Sequence, residues 1–281
     1  MRTIAYTAIV TAMERLCLKA ACELPVDVRS ALEDAVESER SPLGRSILEQ
    51  CLLNARTAQA ERMPICQDTG FAVVFVELGA DARIEGGLLT DAIAEGVRKG
   101  YQNGHLRMSL VNDPVFSRKN TGDNTPPSVH VEIVAGDALT ITLLPKGGGS
   151  ENISALAMLK PADGRDGVVK FVVDTAVKSG GNPCPPVIVG VGIGGTADAA
   201  CLLAKKALLR PVGTKHEDAR YAELEETILR RINASGNGPQ GLGGTTTAFA
   251  VHIETMACHI ASLPVAVTLN CHAARRAAVV L

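Results

Sequence analysis

Residues 63–78 read Met-Pro-Ile-Cys-Gln-Asp-Thr-Gly-Phe-Ala-Val-Val-Phe-Val-Glu-Leu, and the rest of the chain is best interpreted around this stretch. Its second half, Phe71–Leu78, has the Val and Phe content of a buried strand, and it follows a helix-like segment, Ser46–Ala60. Cys66 therefore lies in a short loop at a strand end, where several polar groups can converge. The loop fits either an ordinary turn with a buried cysteine or a functional site.

Composition narrows the class of protein. The 281 residues are 46% hydrophobic and 21% charged, which is typical of a folded globular chain with a sizeable core. A net charge of −2 and an aromatic content of 3% without Trp give no case for binding nucleic acid or an anionic membrane. We find no secretory signal and no apolar run of membrane-spanning length, so we expect a cytoplasmic protein with reduced cysteines.

The apolar pattern predicts an α/β (α+β) fold. A helical N-terminal portion, about residues 1–60, precedes mixed β-sheets flanked by helices, and the functional groups lie on loops. Val129–Val134 and Leu139–Leu144 alternate across Ala-Gly-Asp and predict a β-hairpin. A helix is predicted over Ile153–Lys160, and a second one over Thr196–Arg210 after a short strand.

Two glycine-rich segments precede these predicted helices. Residues 146–152, Lys-Gly-Gly-Gly-Ser-Glu-Asn, fit an anion site for a small dicarboxylate, and they fit a plain helix entry equally well. They lack the Gly-Lys-Ser/Thr ending of a nucleotide-binding P-loop. Residues 190–195, Gly-Val-Gly-Ile-Gly-Gly, formally match a dinucleotide fingerprint, but no second strand with an acidic end follows. Close packing of a helix on a strand explains these glycines without a ligand.

The chain has eight cysteines and no Cys-x-x-Cys pair, so any metal site must be assembled from distant loops. Cys66, Cys184 and Cys271 each lie in a loop-like position at the edge of an apolar run. Three such thiolates fit an iron–sulfur cluster with one iron left open, and an open iron suits a hydro-lyase. Spacing alone does not select these three cysteines. The remaining ones are interpreted as structural, namely Cys17, Cys22, Cys51, Cys201 and Cys258.

Five motifs together resemble class I (iron–sulfur) fumarate hydratase, over a region from about residue 40 to Arg276. The motifs occupy residues 64–70, 118–126, 146–152, 190–195 and 259–275. In that family this region is the cluster-carrying half, either fused to a second domain or present as a separate α subunit. The chain resembles the α subunit, so we expect one cluster-carrying catalytic domain over residues 1–281. The second domain is then expected on a smaller β subunit, in an α2β2 assembly.

The resemblance implies roles for eight residues. They are the [4Fe–4S] ligands Cys66, Cys184 and Cys271, the substrate-binding residues Gln67, Arg107 and Gly149, and the catalytic residues Asp68 and His259. Asp68 and His259 would work together as the proton donor, and Arg107 would hold a substrate carboxylate. The base and the other substrate-binding cations would belong to the β subunit. Without the resemblance, the pattern around His259 favours a core histidine, and Arg107 fits a surface charge.

The implied reaction is the reversible hydration of fumarate to (S)-malate, a step of the tricarboxylic acid cycle. L-tartrate dehydratase α subunits share the architecture and the Cys-Gln-Asp-Thr-Gly motif, so tartrate or another C4 dicarboxylate is the alternative substrate. The Gly-Asp-Asn-Thr-Pro and Gly-Gly-Gly-Ser-Glu-Asn forms of this sequence favour fumarate. A non-catalytic iron–sulfur sensor or scaffold subunit is the alternative from another class, and the Asp68, Arg107 and His259 set speaks against it.

Overall fold

The computed structural model describes residues 2–281 and has the predicted mixed α/β architecture, with several mixed sheets and no barrel. None of its helices is long and apolar enough within these residues to cross a membrane. The helices are α1 (Tyr6–Cys22), α2 (Val26–Ser38), α3 (Pro42–Glu61), α4 (Leu89–Asn103), α5 (Gly148–Glu151), α6 (Gly164–Lys178), α7 (Ala197–Ala207) and α8 (Ala219–Asn233). The strands are β1 (Arg2–Ala5), β2 (Phe71–Gly79), β3 (Ala82–Glu85), β4 (Ser128–Val134), β5 (Leu139–Lys146), β6 (Ala155–Leu159), β7 (Val187–Gly194), β8 (Ala248–Met256), β9 (Leu263–Asn270) and β10 (Ala277–Val280).

The chain folds into two compact units, each built from discontinuous segments. The first unit contains the residues up to Pro25 together with Ala55–Gly148 and Arg275–Leu281. The second unit contains Val26–Asn54 and Gly149–Ala274. Each unit has a four-stranded sheet and a hydrophobic core of its own.

The sheet of the first unit has the strand order β10-β5-β2-β4, and α1 and α4 supply much of its core. These two helices pack closely because α4 presents glycines to α1. A Cβ atom on Gly96 would lie 2.5 Å from Cβ of Met13, and one on Gly100 would lie 2.6 Å from Cβ of Cys17. The central strand β2 buries Ala72, Val73, Val74 and Val76, as its run of apolar residues predicts.

The predicted hairpin between β4 and β5 is wrong. Strand β2 lies between them, parallel to β4 and antiparallel to β5, so that Val74 pairs with both Val129 and Leu143. The alternating pattern identified both strands correctly. It did not identify the partner, because the most apolar strand of the unit takes the central position between them.

The sheet of the second unit has the order β6-β9-β7-β8, with α7 against one face and the residues of α6 and α8 in the core on the other. Gly190 and Gly192 lie inside β7 and not in a turn. A Cβ atom on Gly190 would lie 2.2 Å from the Ala204 carbonyl oxygen, and one on Gly192 would lie 2.0 Å from that of Ala200. The glycines therefore admit α7 onto the strand, as the packing interpretation predicts.

The helix predicted over Ile153–Lys160 is also wrong. Residues 155–159 form the edge strand β6, which pairs antiparallel with β9, for example Ala157 with Val265. Its burial alternates along the strand, and Leu156 and Met158 are exposed. The triple glycine enters only the single turn α5, because the pairing of β6 with the buried strand β9 satisfies the backbone that a longer helix would have used.

Candidate active site

In the first unit, the Cys66 loop lies next to the triple glycine. Phe71, at the start of β2, pairs with Lys146, at the end of β5. This antiparallel pairing brings the residues before β2 beside the residues after β5. The Asp68 carboxylate accepts a hydrogen bond from the Gly148 N–H at 2.7 Å and another from the Gly70 N–H at 3.0 Å. Two sequence motifs 80 residues apart thus meet at one carboxylate.

The backbone of Asp68 is linked to the predicted ligand Cys66. The backbone N–H of Asp68 donates to Cys66 Sγ at 3.4 Å, and Gln67 Oε1 lies 3.5 Å from the same sulfur. Gln67 is exposed, whereas Cys66 and Asp68 are half-buried. The structure therefore places Cys66, Gln67 and Asp68 on one short loop, with the sulfur and the carboxylate held by backbone amides.

Side chains from the rest of the first unit form hydrogen bonds to the backbone of this loop. Tyr101 O–H donates to the Gly70 carbonyl at 2.7 Å, and Asn124 Nδ2 donates to the same oxygen at 3.2 Å. Burial is the main reason that the pKa of Tyr101 is raised well above its ordinary value, so the phenol remains a neutral donor. Asn124 also accepts from the Ser109 N–H at 2.8 Å. Asn124 lies in the motif of residues 118–126, and its hydrogen bonds explain that motif as support for the loop.

Arg107 belongs to the same neighbourhood. The Thr69 hydroxyl donates to the Arg107 carbonyl oxygen at 2.8 Å, which ties the backbone of Arg107 to the Cys66 loop. The Arg107 side chain is exposed. It is therefore accessible to an anionic ligand, as a carboxylate-binding residue must be.

In the second unit, Cys184 and Cys271 lie at the same end of the sheet. Cys184 precedes β7 and Cys271 follows β9, and these antiparallel strands pair Ile188 with Asn270. The His272 N–H donates to the Cys184 carbonyl at 3.2 Å, and His272 Nδ1 lies 3.1 Å from the same oxygen. The structure thus brings together the two loops that carry these predicted ligands, and Cys184 has a positive φ of 54°.

Gln240, to which sequence reasoning assigned no role, braces this pair of loops. Its Nε2 donates to the Pro185 carbonyl at 2.9 Å and lies 3.1 Å from His272 Nδ1. Its backbone N–H donates to the same Pro185 oxygen at 2.8 Å. Gln240 has a left-handed φ of 54° in the middle of a glycine-rich segment. That abundance of glycine was the signal, because tight turns with positive φ place side chains where a regular element does not.

A buried carboxylate anchors the end of this segment. Glu39 is 1% exposed and accepts backbone hydrogen bonds from Ser41, Thr245 and Thr246, each at 2.9 Å. Burial alone raises the pKa of Glu39, but the hydrogen bonds outweigh burial and lower it to about 2. A Glu so far along the chain from residues 245–246 carries no sequence signal of this contact.

The two remaining predicted site residues, Gly149 and His259, also lie in the second unit, and only Gly149 lies near Cys184. A Cβ atom on Gly149 would lie 3.2 Å from the Asn182 carbonyl oxygen, so Gly149 packs against the backbone two residues before Cys184. His259 follows β8, which runs parallel to β7 and ends beside Gly194. His259 is therefore at the opposite end of this sheet from Cys184, about 25 Å away for strands of eight residues.

The surroundings of His259 differ accordingly. The imidazole is exposed, and its Nδ1 accepts from the Ala261 N–H at 3.1 Å. It lines a cavity of about 700 Å³ together with Tyr221, Leu224 and the exposed Ile260. Within the second unit the structure does not bring His259 to the predicted cluster ligands.

Two of the cysteines interpreted as structural, Cys17 and Cys51, have a raised pKa. Burial raises the pKa of Cys17 to about 12 and that of Cys51 to about 11, which disfavours a thiolate at either position. The charges of Cys271 and Cys184 raise the pKa of Cys51 further, so Cys51 is a neighbour of both. The helical pattern did not reveal this proximity, because it assigns a residue to a face and not to a partner.

The donor set was tested against the cluster that the resemblance implies. Cys66, Cys184 and Cys271 form no disulfide and are half-buried or exposed, and soft sulfur donors of this kind hold iron–sulfur clusters. Among residues 2–281, no three His, Cys, Asp or Glu side chains are grouped as the ligands of a single metal ion. A cubane does not require such a group, because each thiolate binds a different iron and the fourth iron has no thiolate ligand. The donor chemistry therefore fits the cluster.

Comparison with known proteins agrees with the motifs. The model of the family described as fumarate hydratase (Fumerase) matches residues 10–280. A protein of Methanocaldococcus jannaschii, provisionally named L(+)-tartrate dehydratase subunit alpha, is 43% identical over 263 residues, which are 92% of each chain. L(+)-tartrate dehydratase subunit alpha of Escherichia coli (strain K12) and of Shigella sonnei (strain Ss046) are each 36% identical over 255 residues, 90% of this chain and 84% of the relative. The family expected from the motifs is confirmed, and the chain belongs to the fumarate hydratase (Fumerase) family of hydro-lyases.

Proposed function

We propose that this chain is the α subunit of an iron–sulfur hydro-lyase that reversibly hydrates fumarate to (S)-malate in the cytoplasm. The observation that carries the proposal is the convergence of the Cys66 loop and the triple glycine on the Asp68 carboxylate. A carboxylate held by backbone N–H groups beside a thiol is suited to move a proton next to a bound metal group. The names of the relatives support an α subunit that works with a β subunit.

Each residue then has a defined task. Cys66, Cys184 and Cys271 hold a [4Fe–4S] cluster, and the cluster supplies a Lewis acid for the hydroxyl of the substrate. The proposed substrate-binding residues are Gln67, Arg107 and Gly149. Arg107 binds one carboxylate of the substrate, and its exposure allows that carboxylate to reach it.

Asp68 and His259 are proposed to move protons, and the position of His259 adds a condition. Because it lies at the far end of the second unit's sheet from Cys184 and Cys271, His259 reaches their site only from a second copy of the chain. The proposed α2β2 assembly contains that second copy. An isologous two-fold contact would then give each site the Asp68 of one α subunit and the His259 of the other.

The second candidate substrate is L-tartrate, which the names of the similar proteins favour. The family description favours fumarate. The Gly-Asp-Asn-Thr-Pro and Gly-Gly-Gly-Ser-Glu-Asn forms of the sequence also favour fumarate, and Asn124 of the first motif donates to the Gly70 carbonyl of the Cys66 loop. Both substrates carry two carboxylates, and the residues proposed here bind either.

The test is anaerobic coexpression with the β subunit, followed by measurement of iron, sulfide and turnover with fumarate, (S)-malate and L-tartrate. We expect bound iron and sulfide and a higher kcat/KM for fumarate and malate than for tartrate. A higher kcat/KM for tartrate would replace the substrate within the same reaction class. Iron–sulfur protein that is inactive with every C4 diacid would support the sensor or scaffold, and iron-free protein that is active would refute the cluster.

A further inference from the structure

A buried arginine, Arg275, lies in the first unit beside the Cys66 loop. Arg275 is 2% exposed and precedes β10, and it ends the Cys-His-Ala-Ala-Arg motif that begins at Cys271. Its Nη2–H donates to the Asp68 carbonyl oxygen at 2.8 Å. Its charge also acts on the Tyr101 phenol, which itself donates to Gly70. The guanidinium therefore lies against the inner side of the Cys66–Gly70 loop.

The hydrogen bonding of this guanidinium is incomplete. Nε and Nη1 of Arg275 are both buried and have no hydrogen-bond partner among residues 2–281. The acceptor of Nη2–H is a neutral carbonyl, which does not balance the charge. Burying an ionised group without compensation destabilises the fold, so buried arginines are usually paired with anions. An anion beside Nε and Nη1 in the working enzyme would complete the hydrogen bonding and balance the charge.

We propose that Arg275 is the buried cation of the cluster site, and that its Nε–H and Nη1–H donate to the anionic cluster–thiolate group at Cys66. This inference rests on the proposed function. Three thiolates give such a group a net negative charge, and hydrogen bonds to its sulfurs stabilise it and tune its potential. Arg275 is a positioning residue, because it also fixes the backbone of Asp68 relative to Cys66.

Burial distinguishes this role from the binding of substrate. Substrate enters and leaves at every turnover, so the cation that meets it needs solvent access, as the exposed Arg107 has. A cluster is resident, and its partner can be closed off from solvent. Arg275 is closed off, and it lies on the backbone of the loop that carries a proposed cluster ligand.

The experiment compares Arg275→Gln and Arg275→Lys with the unaltered α subunit, each purified anaerobically with the β subunit. The matched control is Arg276→Gln, which removes the positive charge of the next residue, whose side chain is half-buried. The readouts are iron and sulfide content, the rate of iron loss to a chelator and the midpoint potential of the cluster. We expect Arg275→Gln to lose iron about tenfold faster and to have a more negative potential, because a cation favours the reduced cluster. Arg275→Lys should recover part of the potential shift.

Other outcomes overturn the inference. An unchanged potential with a raised KM would make Arg275 a substrate ligand. An unchanged potential with only a lowered melting temperature would make it a structural residue. If Arg275→Gln does not fold, the Arg275→Lys potential decides, since it keeps the charge and changes the donor geometry. Absence of iron from the unaltered protein would refute the proposed function itself, which is distinguishable from an altered protein that holds a cluster of normal potential.

Discussion

Gln240 Nε2 lies 3.1 Å from His272 Nδ1 and donates to the Pro185 carbonyl at 2.9 Å, so one amide joins the loops of Cys184 and Cys271. The two loops also touch directly through the His272 N–H and the Cys184 carbonyl. The positions of two proposed cluster ligands therefore depend on a side chain from a third, glycine-rich segment.

Replacing Gln240 with Ala should weaken retention of the cluster by about 10–100-fold, as is usual for residues that orient metal ligands. The measurement is the rate of iron release to a chelator under anaerobic conditions. Gln102→Ala, at an exposed position of α4, is the control and should release iron at the unaltered rate. Equal rates for both variants would show that the brace is dispensable.

Glu39 should make stability depend on acid pH. Its pKa is about 2 in the folded chain against an ordinary value of 4.5, so its contribution is complete above pH 4.5 and is lost as the pH falls towards 2. Glu39→Gln should lower the free energy of unfolding by about 2 kcal/mol near pH 7, and the difference from the unaltered chain should shrink below pH 4.5. Urea unfolding of both chains across this range is the measurement. A difference that stays constant with pH would contradict the assignment.

Each of the changes Cys66→Ser, Cys184→Ser and Cys271→Ser should abolish stable binding of the cluster, because serine does not replace a thiolate donor to iron. Iron and sulfide analysis with visible absorbance checks this prediction. Cys51→Ala is the sharpest control, since Cys51 neighbours two of these cysteines but is kept protonated by burial. Loss of iron from Cys51→Ala together with retention in Cys184→Ser would make the ligand assignment wrong.

Asp68→Asn should keep the cluster and lower kcat by about 10²–10⁴-fold, the usual contribution of general acid–base catalysis. The change leaves an oxygen to accept from Gly148 N–H but removes the proton-transfer group. Steady-state kinetics and absorbance of the same sample are the measurements, with the exposed Asp137→Asn as control. If Asp68→Asn turned over normally, Asp68 would have only a structural role.

His259→Asn should also keep the cluster and lose turnover, and mixing it with Asp68→Asn tests where His259 acts. If each site takes Asp68 and His259 from different α subunits, random reassembly of equal amounts restores about a quarter of the sites. Activity after denaturant-free subunit exchange is the readout. No recovery, with exchange verified by mass spectrometry, would show that Asp68 and His259 do not reach one site from different α subunits. Normal turnover by His259→Asn alone would show that His259 has no catalytic role.

The apolar pattern identified most elements of the fold, because α1 and α4 each bury a regular face, and β2 and β9 contain continuous buried apolar runs. It failed where pairing was the question. Strand β2 separates β4 from β5, and β6 is a strand only because β9 is beside it. A local sequence pattern does not indicate which distant strand a given strand will pair with.

The sequence by itself determined the family and the mixed α/β class, and it predicted the loops proposed to carry chemistry, because motifs and burial periodicity are local properties that residue order records. Only the tertiary structure decided what each loop touches: Gly148 on Asp68, His272 on Cys184, Gln240 on Pro185, and Arg275 on the backbone of Asp68. It also placed His259 at the far end of its sheet from Cys184. The physical reason is that these contacts are set by strand pairing and by buried polar groups that need partners, and both join residues far apart in the chain.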